Sequence, residues 1–214
     1  MTAPRIPHLG ADLGRVSGWV DASLPEVARL LLPGRDERGS WVPWPEAARR
    51  GGVDLTPALR FSDLAASAGG ELAGAGAMLS PPLTAALVEA LTGQTSTPDA
   101  VHVALWPGYA DPEDAGLPEC DDADRLPRLL TDRSGGLVVG RASLGWLALR
   151  ATTWPPPRLP VLMWPSDGAW LAACPIYADS LVVSGTPPTM AALRTAGFTV
   201  LALSPEDPLP TEGD

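Results

Sequence analysis

The sequence predicts an α+β fold, a mostly antiparallel sheet of short strands with two or three helices. First, 25 prolines and 22 glycines divide the 214 residues into short segments, which favours many strands. Second, strand patterns occur in succession, most clearly in the C-terminal third, with helical patterns interspersed irregularly between them. Third, the chain length suits one core, so we expect a single domain over 1–214 with flexible tails at 1–14 and 205–214.

The predicted strands are short, mostly apolar runs bounded by turn-forming residues. The run at 27–32 is also compatible with a short helix, and a strand is favoured. The glycine-rich segment 65–77 is predicted to be a surface loop. The predicted strands are residues 15–20, 27–32, 100–106, 137–141, 145–150, 160–164, 169–174, 179–184 and 198–203.

Three segments carry the start and stop signals of helices. Residues 44–51 have proline near the start, cations in the last turn and a glycine at the end. Residues 81–92 follow Ser80, a good N-cap, and repeat leucine at every fourth position. The third helix is predicted from Thr186, as N-cap, through Thr195.

The charge pattern predicts an acidic surface. The net charge is −10, all fifteen cations are arginine, and the arginines are scattered. This argues against a nucleic-acid partner, which requires a basic face. The acidity could instead serve to bind a basic protein, or only to keep the chain soluble. Seven acids fall within 14 residues that hold no cation, namely Asp111, Glu113, Asp114, Glu119, Asp121, Asp122 and Asp124.

The location expected from the sequence is a reducing cytoplasm. The N-terminal residues lack the apolar core of a signal peptide, and no apolar stretch reaches the length of a membrane span. Cys120 and Cys174 are too few for a disulfide framework.

The inventory of catalytic and metal-binding residues is thin, which favours a protein without enzymatic activity, cofactor or metal. A nucleophile would need His102 as its base, since His8 lies in the predicted tail, and no local motif supports such a pair. The segment 140–145 has one residue too many for a nucleophile elbow, and the absence of lysine excludes a standard P-loop. The acidic segment 111–122 follows a calcium loop only in part, because alanine and two prolines interrupt it.

The eight tryptophans allow two interpretations. One is a pocket lined by Trp106, Trp164 and Trp170; the other, which is favoured, is that the rings fill a core poor in phenylalanine and isoleucine. A hairpin turn at 166–168 would bring Trp164 and Trp170 close together, and would let Asp167 and Asp179 point to one edge. The other interpretation of the two acids, which is favoured, is a turn cap at Asp167 and a solvated strand start at Asp179.

Two motifs carry a resemblance to a known family. WPSDGAW at 164–170, followed by DSLVVSGT, and TSTPDAVHVALWPGY at 95–109 resemble an uncharacterised bacterial family with a WPxDxxW hairpin and a TxTPD…WxGY segment. The resemblance runs with interruptions from Trp44 to Leu203 and implies one compact domain, without an activity. Gly168 stands where that family commonly has arginine, and an acid that the family tends to have near Pro175 is missing. The matching positions are Thr95, Thr97, Pro98, Asp99, Trp106, Gly108 and Tyr109.

The leading hypothesis is therefore a non-enzymatic protein-binding module with an acidic surface, similar by analogy to immunity proteins. The alternative is a small-molecule or carbohydrate-binding protein with a tryptophan-lined pocket, with weak hydrolase activity as a further option. A third hypothesis places the tryptophans at a contact between identical subunits. Besides the seven acids, the candidate binding residues are Trp106, Tyr109, Trp164, Asp167, Trp170 and Asp179.

Overall fold

Ten strands form two antiparallel sheets in the computed structural model, which describes residues 7–69, 72–74, 76–78, 80–108, 137–150, 152, 158–176 and 178–209. The strands are β1 (Glu26–Leu31), β2 (Gly34–Asp36), β3 (Trp41–Val42), β4 (Leu72–Ala73), β5 (Val101–Leu105), β6 (Val138–Ala142), β7 (Leu162–Pro165), β8 (Leu171–Ala173), β9 (Ser180–Gly185) and β10 (Val200–Ala202). The large sheet has the order β10-β1-β9-β8-β7-β5-β6, and the small sheet has the order β3-β2-β4.

Five α-helices accompany the strands in the described part of the chain, where the sequence predicts two or three. They are α1 (Trp44–Gly51), α2 (Phe61–Ser67), α3 (Pro81–Thr92), α4 (Leu144–Arg150) and α5 (Pro187–Thr195), with a 3-10 helix at Val16–Trp19. The predicted fold class is confirmed, because the strands are short and their pairing is antiparallel throughout.

The helices α3, α4 and α5 cover one face of the large sheet. Side chains alternate across a strand, so Met163 of β7 faces these helices while its neighbours face away. Leu87 of α3, Leu144 of α4 and Leu193 of α5 meet Met163 in the largest apolar cluster. This layer positions the three helices side by side.

The opposite face is covered by the N-terminal segment and by the small sheet with α1 and α2. Trp19 of the 3-10 helix packs with Trp164 of β7. Trp44 of α1 and Phe61 of α2 pack against Leu31 of β1, and their rings meet edge to face with centroids 5.3 Å apart. Since both faces are covered, every residue of β9 is buried.

The two ends of the described chain contact each other. The backbone N–H groups of Val16 and Ser17 donate to the carbonyls of Asp207 and Pro205, at 3.0 and 2.8 Å. The N–H of Leu209 donates to the carbonyl of Gly14 at 2.9 Å. Residues 7–14 and 205–209, which belong to the segments predicted as flexible tails, therefore carry defined backbone contacts.

The three predicted helices are confirmed as α1, α3 and α5. Thr186 caps α5 as expected, because its hydroxyl accepts from the N–H of Thr189, whose side chain accepts in turn from the N–H of Thr186. Ser80 occupies the N-cap position of α3, but its hydroxyl makes no capping bond. The predicted strand at 27–32 is confirmed as β1.

Three local predictions are wrong. Residues 145–150, predicted as a strand, lie in α4, because Leu144 and Leu147 are one helical turn apart and both pack into the core. Residues 15–20, also predicted as a strand, form the 3-10 helix. The predicted loop 65–77 contains the end of α2 and the strand β4.

The described helices are too short or too polar to cross a lipid bilayer.

Candidate functional site

The loop between α3 and β5 is hydrogen-bonded to the β7–β8 hairpin through Asp167. The Thr95 hydroxyl lies 2.9 Å from each carboxylate oxygen of Asp167. The amide and hydroxyl of Ser96 donate to Oδ2 at 2.7 and 2.8 Å, and the amide of Ala169 donates to Oδ1 at 3.1 Å. The amide of Asp167 itself donates to the Thr97 hydroxyl at 3.2 Å. The carboxylate therefore joins two connections that are about 70 residues apart in sequence.

These donors hold the Asp167 side chain in its charged form. Burial on its own raises the pKa of Asp167, but the bonds from Ser96, Thr95 and Ala169 outweigh it and lower the pKa below its ordinary value. The same contacts occupy both oxygens, so the geometry fits the turn-cap interpretation of Asp167.

His102 and Ser166 lie in contact at the start of β5, in an arrangement unlike that of a catalytic pair. The Ser166 hydroxyl donates to the carbonyl of Ala100 at 2.9 Å. Its single proton is thereby used, so His102 Nε2, at 3.1 Å from the same oxygen, must be the donor. A general base would accept that proton instead. The imidazole also stacks on the Trp164 indole, with centroids 5.1 Å apart.

The three candidate tryptophans do not line one pocket. Trp164 packs on the sheet face that carries the N-terminal segment, and Trp106 packs against the same cluster. Trp170 packs on the helix-covered face. The expected proximity of Trp164 and Trp170 is wrong, because the two residues take opposite sides of the hairpin. Tyr109 lies outside the described residues.

Asp167 and Asp179 lie at opposite ends of β8, so they do not share an edge. Asp167 is in the turn before β8, whereas Asp179 lies after β8 and immediately precedes β9. Asp179 is only 6% exposed, which makes the solvated interpretation wrong. Its Oδ1 accepts from the amide of Gly76 at 3.2 Å, and a Cβ at Gly74 would lie 2.3 Å from that oxygen. The glycines therefore let the backbone close around this carboxylate.

Cys174 is a buried thiol near Asp179. Burial, reinforced by the negative charge of Asp179 and opposed by Arg158, raises the pKa of the Cys174 thiol to about 12. The thiolate is the reactive form, so this cysteine is a poor nucleophile at neutral pH. Cys120 lies outside the described residues.

The segment with the seven acids also lies outside the described residues, but its attachment points are defined. It connects β5 to β6, and β6 stands at the end of the large sheet. Leu105 closes β5 and Val138 opens β6, and these two residues pair across the ladder. The connection that contains the acidic segment therefore begins and ends at neighbouring positions of the sheet.

Sequence reasoning missed a surface feature on the helical layer. A groove of about 520 Å³ runs between α3 and α5. Small residues line most of it, and Glu89 supplies the one carboxylate among its described lining residues. The recurring alanines of the two helices indicate that each helix has a face of small side chains. The sequence does not indicate that α3 and α5 are neighbours, so it does not predict the groove.

Metal-binding geometry is not found in the described ranges, where no group of three or more histidine, cysteine or acidic side chains converges. No family model, curated protein or solved structure matches this chain. The resemblance to the bacterial family with the WPxDxxW hairpin therefore stays a prediction from the motifs.

Proposed function

We propose that this protein is a non-enzymatic binding module for a basic protein partner. The observation that carries the proposal is the block of seven acids between Asp111 and Asp124, in a chain whose net charge is −10. A surface of one sign attracts a partner of the opposite sign and accelerates its association.

The position of the acidic block supports this function. The block is inserted between β5 and β6, at one end of the large sheet. A long connection presented by a rigid sheet is a common way to display binding residues. The seven acids lie within 14 consecutive residues, so a partner that binds this segment would meet several of them.

The contacts and the pKa of the potentially reactive side chains in the described part of the chain favour a binding function over a catalytic one. His102 donates to Ser166, and the raised pKa of Cys174 keeps its thiol protonated. Asp167 accepts hydrogen bonds from its own chain at both oxygens. His102 and Asp167 are thus hydrogen-bonded within the fold, and the acidity of the chain is a feature available to a partner.

The test is affinity capture from the native cells at low salt and at about half-molar salt, where exposed charge attraction is screened within a few ångströms. We expect a basic protein to be retained at low salt and lost at high salt. Each captured protein is then purified and titrated against three forms of the chain, namely the wild type, a variant with the seven acids changed to Asn or Gln, and a variant with residues 111–124 in scrambled order.

The scrambled variant is the matched control, because it keeps the charge and length of the segment. We expect it to bind almost as tightly as the wild type, while the neutralised variant binds at least about tenfold more weakly. Equal binding by the neutralised variant, or binding unchanged by salt, would contradict the proposal.

A further inference from the structure

The groove between α3 and α5 has walls made of small side chains. Ala86, Ala90 and Gly93 contribute from α3 and its C-terminus, at spacings of four and three residues. Ala192 and Ala196 contribute from α5 and its C-terminus, also four residues apart. Residues three or four apart lie on one face of a helix, so each helix presents a shallow apolar strip. A partner backbone can approach such strips closely.

The groove is also electronegative. The last turns of α3 and α5 both line it, and the C-terminal end of a helix carries a partial negative charge. Glu89 adds a full charge, and the last turn of α3 has no basic residue to offset it. Arg194, in the last turn of α5, is exposed, and it does not lie within ion-pair distance of Glu89.

Glu89 is available to an external cation. The ion pairs among the described residues join other acids, and Glu89 takes part in none of them. Its side chain is exposed, so pairing would not first require opening of the fold. Gln94 and Thr195 lie at the same groove and supply further polar groups.

We propose that this groove receives a lysine or arginine side chain from a helix of the basic protein partner. The aliphatic stem would lie on the alanine methyl groups, and the charged end would meet Glu89 and the helix C-termini. The inference rests on the proposed function, since it assigns a docking site to the same partner. It adds a second contact on a surface that the acidic segment does not define.

The probe is an alanine-based helical peptide with lysine at every fourth position, and its counterpart with glutamate is the control. Binding is followed by NMR shifts of backbone amides at a fixed low salt. We expect the lysine peptide to shift the amides of Glu89, Gly93, Gln94 and Ala196, and the glutamate peptide to leave them unchanged.

Two variants test the site, each with a matched control. Glu89→Arg reverses the groove charge, and Asp54→Arg makes the same change at an exposed acid between α1 and α2, beside the other sheet face. Thr195→Trp fills the groove from an exposed position, and Ala191→Trp places the same ring on an exposed residue of α5 that does not line it. We expect the groove variants to weaken peptide binding about tenfold and the controls to change it little.

The outcomes separate the two proposals. Shifts confined to residues 111–124, or groove shifts that persist in Glu89→Arg, would overturn the groove assignment and leave the acidic binding module standing. If the peptide binds the groove but no basic protein is captured from the cells in a salt-sensitive manner, the groove remains a binding site. Its assignment to a basic protein partner would then be wrong.

Discussion

One carboxylate, that of Asp167, organises the junction between the α3–β5 loop and the β7–β8 hairpin. It accepts from two hydroxyls and two amides, and these bonds lower its pKa. Bonds from neutral donors to a charged acceptor are stronger than bonds between neutral groups. The contribution of this residue to stability therefore depends on its charge.

We predict that Asp167→Asn lowers the free energy of unfolding at pH 7 by about 1–3 kcal/mol. Because the folded pKa lies below the unfolded value, the stabilisation is complete above about pH 4, the unfolded value, and is lost as the pH falls through the folded pKa. Urea unfolding at pH 7 and at successively lower pH values measures the difference. Wild type and variant should converge in acid.

Asp99→Asn is the control for this prediction. Asp99 lies on the same connection, is exposed, and has no hydrogen-bond partner among the described residues. Its substitution should change stability by less than about 0.5 kcal/mol. If the loss of stability in Asp167→Asn stays constant down to the acid transition, the shape of the Asp167 side chain stabilises the fold and its charge does not.

The tryptophans show how different the surroundings of one residue type are. Trp44 donates its indole N–H to the carbonyl of Leu32 at 2.6 Å, and Trp19 donates to that of Leu13 at 2.9 Å. The buried indole N–H groups of Trp164 and Trp170 have no hydrogen-bond acceptor among the described residues. Burial of large rings follows from composition, as the core interpretation predicts, but the acceptor depends on which strands become neighbours.

At the scale of elements, Arg29 joins the large sheet to the α1–α2 unit. Its side chain is 1% exposed, and Nε donates to the Ser180 hydroxyl at 2.9 Å. Nη1 donates to the carbonyls of Pro57 and Leu59, at 2.9 and 2.6 Å, and the guanidinium lies 5.0 Å from the ring centroid of Trp44. A charged group at this depth is stable only while these partners are in place.

Arg29→Met should therefore destabilise the fold by about 2–4 kcal/mol, since a similar volume remains but the half-buried carbonyls of Pro57 and Leu59 lose their donor. The loss should be local first, so amides of residues 53–60 should exchange faster in hydrogen-exchange mass spectrometry. Arg49→Met, at an exposed position on α1, is the control and should be nearly neutral. Unchanged exchange at 53–60 in Arg29→Met would show that this arginine does not hold the connection.

The elements that sequence reasoning predicts well are those with local signals. The helix α5 begins directly after its cap Thr186, because the cap is formed within four residues. The strand β1 is likewise predicted from a short local run of mostly apolar residues. The failures depend on distant partners. The 3-10 helix at Val16–Trp19 bonds to residues about 190 positions away. The apolar run that forms α4 fits a strand equally well until α3 lies beside it.

The candidate site likewise has parts that the sequence predicts from local signals and parts that depend on distant partners. The turn at Asp167 follows from its short motif, and the acidic block is visible in the sequence. The position of Glu89 in a groove cannot be predicted from the sequence, because the groove forms only when α3 and α5, about 100 residues apart, become neighbours. Separation of Trp164 from Trp170 required the register of β7 and β8, which fixes the face of each ring.

At the scale of the whole molecule, the strand order places β9 inside the large sheet, where both faces of the strand are covered. Leu181 and Val183 pack against the helices, and Val182 packs on the opposite side with Val16 of the 3-10 helix. β9 also pairs with β1 on one side and β8 on the other. β10, by contrast, pairs with β1 alone among the described strands, and its three residues are half-buried or exposed.

This arrangement predicts a gradient of protection from hydrogen exchange across the sheet. Amides of β9 should exchange only through global unfolding, because opening them disrupts two ladders and both apolar layers. Amides of β10 should exchange through local opening, at a lower free energy and with little dependence on denaturant. Native-state exchange at several low urea concentrations measures both. Equal free energies of exchange and equal urea dependence for the two strands would contradict this gradient. They would mean that the contacts of Val16 and Ser17 with residues 205–207 stabilise the β10 edge as much as the centre of the sheet is stabilised.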